Sequence, residues 1–151
     1  MKTRTLSRLV TTTLLALVLS SAALLAQAPA AGALANVADA NVEYGNNNCG
    51  DPVLGAPVVG TARFLRSGDQ MLVRYVMTGG DANTKYDVRL YDADTCSPIA
   101  AVGSFTSDAA GAGWVTSKKL PVAGSKRFYA AARDASTFVG IYHGSLSVLL
   151  P

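Results

Sequence analysis

The sequence predicts an all-β fold, one antiparallel β-sandwich, and three observations predict it. Beyond the first 33 residues the apolar side chains recur at intervals of two, the period of a strand with one buried face. Clusters of Gly, Asn, Asp and Pro interrupt these runs at short, regular spacing, as turns between strands do. No stretch of ten or more residues in that region carries the 3.6-residue period of an amphipathic helix.

The elements follow in chain order. Lys2, Arg4 and Arg8 precede the apolar run "LVTTTLLALVLSSAALLA", and the small-residue segment "QAPAAGALANVADA" comes after it. A charged, an apolar and an alanine-rich region in that order define a secretory signal peptide, here residues 1–33, with cleavage expected after Ala33. The apolar run is diluted by Thr and Ser and no second apolar span follows, so no membrane association is expected after cleavage. Residues 34–57 read as an Asn-rich leader, "NVEYGNNNCG" within it lacking a strand pattern of its own.

Strands are expected at 58–65, 71–78, 86–92, 99–105, 113–120, 127–133 and 141–150. In "YDVRLYD" the alternation is clean: Tyr86, Val88 and Leu90 point one way, Asp87, Arg89 and Tyr91 the other. "RFYAAARD" repeats it with Phe128, Ala130 and Ala132, and "GSLSVLL" with Leu146, Val148 and Leu150. Seven short strands at this rhythm, in residues 58–151, give a single immunoglobulin-like antiparallel β-sandwich.

Charge removes one class of function. The chain has 13 Lys and Arg against 10 Asp and Glu, but three of its cations lie in the signal peptide, so the mature segment is neutral. Its basic isoelectric point belongs to the targeting segment, and no nucleic-acid partner is expected.

Two cysteines in an exported chain, Cys49 and Cys96, are expected to bond to each other and to pin the leader onto the sandwich. No C-x-x-C spacing and no histidine near either one supports a metal or redox role.

Several stretches invite a chemical reading. "FTSDAAGAGW" (105–114) sets Asp108 and two glycines between strand residues, and a β-branched strand follows it where a phosphate loop would require a helix. It reads as a turn. In "DADTC", Asp92 and Asp94 would converge on a cation only with help from Asp81 or Asp87; solvated loop carboxylates are the plainer reading, and no metal or cofactor is expected. His143 lies near Ser145, Ser147 and, upstream, Asp134, but serines spaced by two along an extended strand are its polar face rather than a nucleophile on a strained turn. No catalytic residue is expected.

The aromatic residues remain. Tyr75, Tyr86, Tyr91, Trp114, Phe128, Tyr129, Phe138 and Tyr142 divide between core and surface, and Trp114, Tyr91 and Tyr129 are the candidates for an exposed ligand face.

The run "NTKYDVRLYDADTCSPIAAVGSFTSDAAGAGWVTSKKLPVAG" resembles many bacterial secreted immunoglobulin-like domains, and it is faintly similar to the neocarzinostatin-type apoproteins, exported sandwiches that carry a small apolar ligand in a cleft. The resemblance implies the fold class and an extracellular setting. It carries over no binding residue, because those apoproteins have two disulfides and this chain has two cysteines.

The function expected is that of a secreted, non-catalytic module binding a protein or polysaccharide at the cell surface or in the extracellular matrix. A carrier of a small apolar ligand and an exported hydrolase inhibitor are the alternatives. A flat aromatic face distinguishes the first, a deep cleft the second and an exposed stiff loop the third, "NNNCGDPVLGAP" being the candidate loop.

Overall fold

A computed structural model of the chain describes residues 36–137 and 142–151. The expected signal peptide with its cleavage site, and Phe138, lie outside the described residues. The described residues form ten strands: β1 (Asn36–Glu43), β2 (Val58–Ser67), β3 (Gln70–Met77), β4 (Lys85–Asp92), β5 (Ser97–Thr106), β6 (Gly113–Thr116), β7 (Leu120–Pro121), β8 (Arg127–Asp134), β9 (Tyr142–Ser145) and β10 (Val148–Leu149). All pairings are antiparallel, in the order β5-β4-β8-β9-β1-β2-β3-β6, with β10 beside β8 and β7 beside β3. The fold is the all-β, antiparallel sandwich that the sequence predicts.

One core lies between the two halves of this path. Met71, Val73, Tyr75 and Met77 of β3 face inward at every second position, and Tyr86, Val88 and Leu90 of β4 do the same from the other side. Phe64, Phe128, Tyr75 and Tyr86 are the largest side chains wholly enclosed. The two end strands meet as well: a side chain on Gly113 of β6 would run into the Phe105 ring of β5, and one on Gly103 of β5 would press on Val115 of β6. Tyr75 and Phe105 rings stand 6.5 Å apart across this closure.

Three strand expectations are corrected. The supposed leader contributes β1, which pairs with β2 over its whole length, Asp39 opposite Arg63 and Ala40 opposite Ala62. The expected strand 113–120 is split into β6 and β7, because Ser117 takes over the ladder with its side chain. Its N–H donates to the Val73 carbonyl (2.8 Å) while its Oγ accepts from the Val73 N–H (2.9 Å), which satisfies both buried groups without a continuing strand. The expected strand 141–150 is split between β9 and β10 in the same way. Ser145 Oγ accepts from Ala130 N–H (3.0 Å), and the next two N–H groups turn elsewhere, Leu146 to the Asn41 carbonyl (2.8 Å) and Ser147 to that of Gly50 (2.7 Å).

β8 departs from simple alternation. Residues 128–132 are buried on both faces, the inner one by the core and the outer one by the tethered segment around Cys49.

Candidate functional site

The turn 105–114 is held by its aspartate. Asp108 Oδ1 accepts from the N–H groups of Ala110 (2.8 Å) and Ala112 (2.9 Å), and Gly111 supplies the positive φ of 77°. The turn docks on the neighbouring loop, Gly80 N–H donating to the Gly111 carbonyl (3.0 Å) and Asn83 N–H to that of Asp108 (3.1 Å). A Cβ at position 111 would fall on the Gly80 carbonyl. Gly111→Ala is therefore expected to cost about 2 kcal/mol or more, read as a lower midpoint in denaturant with an unchanged slope.

The acidic loop is likewise spent on its own backbone. Asp92 Oδ1 accepts from Asp94 N–H (2.9 Å), Thr95 N–H (2.9 Å) and Thr95 Oγ (3.1 Å), and the Ser125 hydroxyl together with these bonds holds its carboxyl below the usual range. Asp94 pairs with Arg127 at 3.2 Å. Among the described residues no three His, Cys, Asp or Glu side chains are grouped to hold a metal ion.

His143 is buried in the sandwich. Its ring packs against Tyr44 (centroids 4.6 Å apart) and edge-on to Tyr86 (5.6 Å), and its Nδ1 accepts a long hydrogen bond from Gly45 N–H (3.4 Å). Nε2 is buried without a hydrogen-bond partner among the described residues. The ring makes no hydrogen bond to Ser145, Ser147 or Asp134. Ser145 donates to the Leu146 carbonyl (3.0 Å), Ser147 Oγ accepts from Arg127 (2.9 Å) and Asp134 accepts from Ser136 (2.7 Å).

The three aromatic candidates are not one face. Tyr91 and Tyr129 stack on each other, centroids 4.8 Å apart and 13° from parallel, beside a hollow of about 250 Å³ lined also by Asn47, Cys49, Cys96 and Ala131. Tyr129 is only 6% exposed, under the tethered segment, and reaches solvent only as part of the lining of that hollow. Trp114 stands apart on β6, opposite Val76, 61% exposed and covered on one side by the Arg74 guanidinium at 5.6 Å.

Cys49 and Cys96 are bonded, their Cα atoms 5.2 Å apart. The bridge joins the segment after β1 to the turn between β4 and β5, and its effect is to shape a loop. Glu43 Oε2 accepts from Asn46 Nδ2 (2.8 Å) and Val53 N–H (2.9 Å); Asn46 also donates to the Asp51 carbonyl (3.0 Å) and accepts from Asn48 N–H (2.9 Å). Both side chains are buried, so this is a small polar knot under the loop. Arg127 ties Asp51 to it from outside at 3.5 Å. Beyond the knot, Ala56 N–H donates to the Val53 carbonyl (3.0 Å), Gly55 adopts φ 79°, and Tyr44 N–H closes the base on the Pro57 carbonyl (2.9 Å). At the tip, Leu54 is fully exposed, with Val53 and Val58 exposed beside it.

No protein-family model matches this chain, and no curated protein is similar to it.

The loop was legible as a candidate from Cys49, Pro52 and Pro57. Leu54 at its tip was the missed residue, and the signal for it is an aliphatic pair between a proline and a glycine, "PVLG", where a turn normally carries polar side chains.

Proposed function

We infer that this chain is an exported bacterial protein, freed of residues 1–33 and working outside the cell as a non-catalytic β-sandwich module that holds a partner protein with the loop 46–57. The export half rests on the charged, apolar and alanine-rich order of the N-terminus, and the disulfide is compatible with it. The binding half rests on one observation. A fully exposed leucine sits at the tip of a loop whose base is fixed by a disulfide, a buried Glu43–Asn46 knot and two prolines.

A leucine left in water forgoes about 2 kcal/mol of burial, and a loop ordered before binding loses little entropy when a partner closes over it. Such a tip suits a concave apolar pocket on another protein, the geometry expected of a hydrolase inhibitor as one case. Asp51 beside the tip and the absence of Lys and Arg from 50–58 disfavour an anionic membrane as the occupant. The hollows elsewhere on the surface are open, which speaks against a carrier of a small apolar ligand.

A photoreactive amino acid placed at position 54 of the secreted protein, with mass spectrometry of the adducts, tests the reading. A defined protein adduct, competed away by unlabelled wild type but not by Leu54→Asp, is expected. Equal competition by Leu54→Asp would move the interface off the loop. Leu54→Asp should leave the thermal midpoint within about 2 °C, since the side chain is exposed at the tip.

A further inference from the structure

A second surface lies apart from the loop. On the outer face of β1, β2, β3 and β6 the register sets two rows side by side: Asp39, Arg63, Arg74 and Thr116 in one, Asn41, Thr61, Val76 and Trp114 in the next. Between them lies an open hollow of about 290 Å³, lined by Asp39, Thr61, Arg63, Arg74 and Val76. Asp39 and Arg63 satisfy each other as a two-pronged pair, Nε to Oδ1 at 2.7 Å and Nη2 to Oδ2 at 2.8 Å. Arg74 is placed differently. Among the described residues no carboxylate pairs with it, and its guanidinium lies over the Trp114 ring, which leaves the donor fork at the rim of the hollow. Lys118 and Lys119 follow β6, and the only acid lining the hollow, Asp39, is already matched by Arg63.

We propose that this face binds an acidic polysaccharide, with a sugar ring against the exposed part of Trp114 and a uronate carboxylate on the Arg74 fork. Each part of the ligand answers a feature of the surface. An exposed indole offers a flat apolar plane for the C–H face of a pyranose. A guanidinium held by stacking and lacking a carboxylate matches a planar carboxylate with two parallel hydrogen bonds. Thr61 lines the hollow, and Asn41 and Thr116 are its neighbours in the register, short polar side chains fit to exchange hydrogen bonds with sugar hydroxyls. A peptide strand is poorly served here, because β2 and β3 already have ladder partners on both sides and offer no free backbone edge. Nucleic acid is poorly served too, since a neutral mature chain with one unmatched arginine beside one indole provides little for a phosphate backbone.

Isothermal titration of the secreted protein with oligomers of galacturonic, guluronic and glucuronic acid tests this, using galactose oligomers and poly-glutamate as the contrasting probes. At least one uronic-acid oligomer is expected to bind, and at least tenfold more tightly than either contrasting probe. Arg74→Gln should weaken that binding about tenfold or more and remove its salt sensitivity. Trp114→Ala should weaken it as much, with the β-sheet spectrum retained. Leu54→Asp should not change it, which separates this face from the loop. The proposal is overturned if no uronic-acid oligomer binds, if the neutral oligomer or poly-glutamate binds as well, or if Arg74→Gln binds like the wild type.

Discussion

Replacing Cys49 and Cys96 together by serine is expected to lower the midpoint of thermal unfolding by about 10 to 20 °C while leaving the β spectrum unchanged. The bridge spans a sequence separation of 47 residues, and closing a loop of that size removes about 4 kcal/mol of entropy from the unfolded chain in the loop-closure account. The sheets survive because β4, β8 and β2 bury their inner faces independently of the bridge. The backbone adds a second measurable component. Cys49 and Cys96 both sit at positive φ, 55° and 56°, where a residue with a Cβ is strained. The double serine variant keeps that strain and loses the covalent closure. The double glycine variant should therefore be the more stable of the two by about 1 kcal/mol, despite the greater freedom of glycine in the unfolded chain. Calorimetry of both variants checks the ordering, and equal midpoints for wild type and double serine would remove the bridge from the stability of the fold.

Acidification is expected to destabilise the protein through His143. Burial against Tyr44 and Tyr86 holds the imidazole below its ordinary pKa, an effect that the charge of Asp81 only partly offsets. A histidine depressed in the folded state is protonated first in the unfolded one. Its contribution to stability is thus complete above the unfolded value of about 6.5 and falls as the pH drops through the window below it, by up to about 1.4 kcal/mol per pH unit. Asp39, Asp92 and Asp134, all held below their usual range by hydrogen bonds, add their own losses further down, below about pH 4. His143→Phe separates the two windows. It keeps a ring among Tyr44 and Tyr86 and removes an Nε2 that has no partner among the described residues, at the expense of one long hydrogen bond, so stability at pH 7 should be equal or higher. Between pH 6.5 and 5 its denaturation midpoint should stay flat where that of the wild type falls. An equally steep fall in the variant would assign the acid limb to other groups.

What the sequence made legible was whatever one strand decides for itself. Tyr86, Val88 and Leu90 turn inward because a period of two with one greasy face has one stable orientation. The disulfide was legible because the sequence offers two cysteines, which have only each other. β1 was hidden by composition: "NVADANVE" alternates, but with Ala and Asn at positions where strands usually carry branched or aromatic side chains, and it follows directly on an alanine-rich stretch of sequence. The breaks at Ser117 and Ser145 were hidden because a hydroxyl that replaces a ladder partner looks, in sequence, like any polar strand residue. The aromatic face failed for a non-local reason. Whether Tyr129 or Trp114 meets solvent depends on which distant segment lies over it, and the tethered loop lies over the first. The cross-strand neighbours of Trp114 required the register of four strands, which alternation leaves open.

The meeting of β5 and β6 bears on association between chains, for which an exposed sheet margin is a template. An open sheet of this order would offer two such margins to any passing chain. Here Phe105 lies over Gly113 and Val115 over Gly103, so each margin shields the other. β5 is further interrupted where its register slips against β4, between Val88 and Arg89 and again between Leu90 and Tyr91, which spoils it as a straight template. Side-chain closure of this kind covers the two ends of a sheet that, among the described residues, share no ladder, and it does so with two glycines, a valine and a phenylalanine.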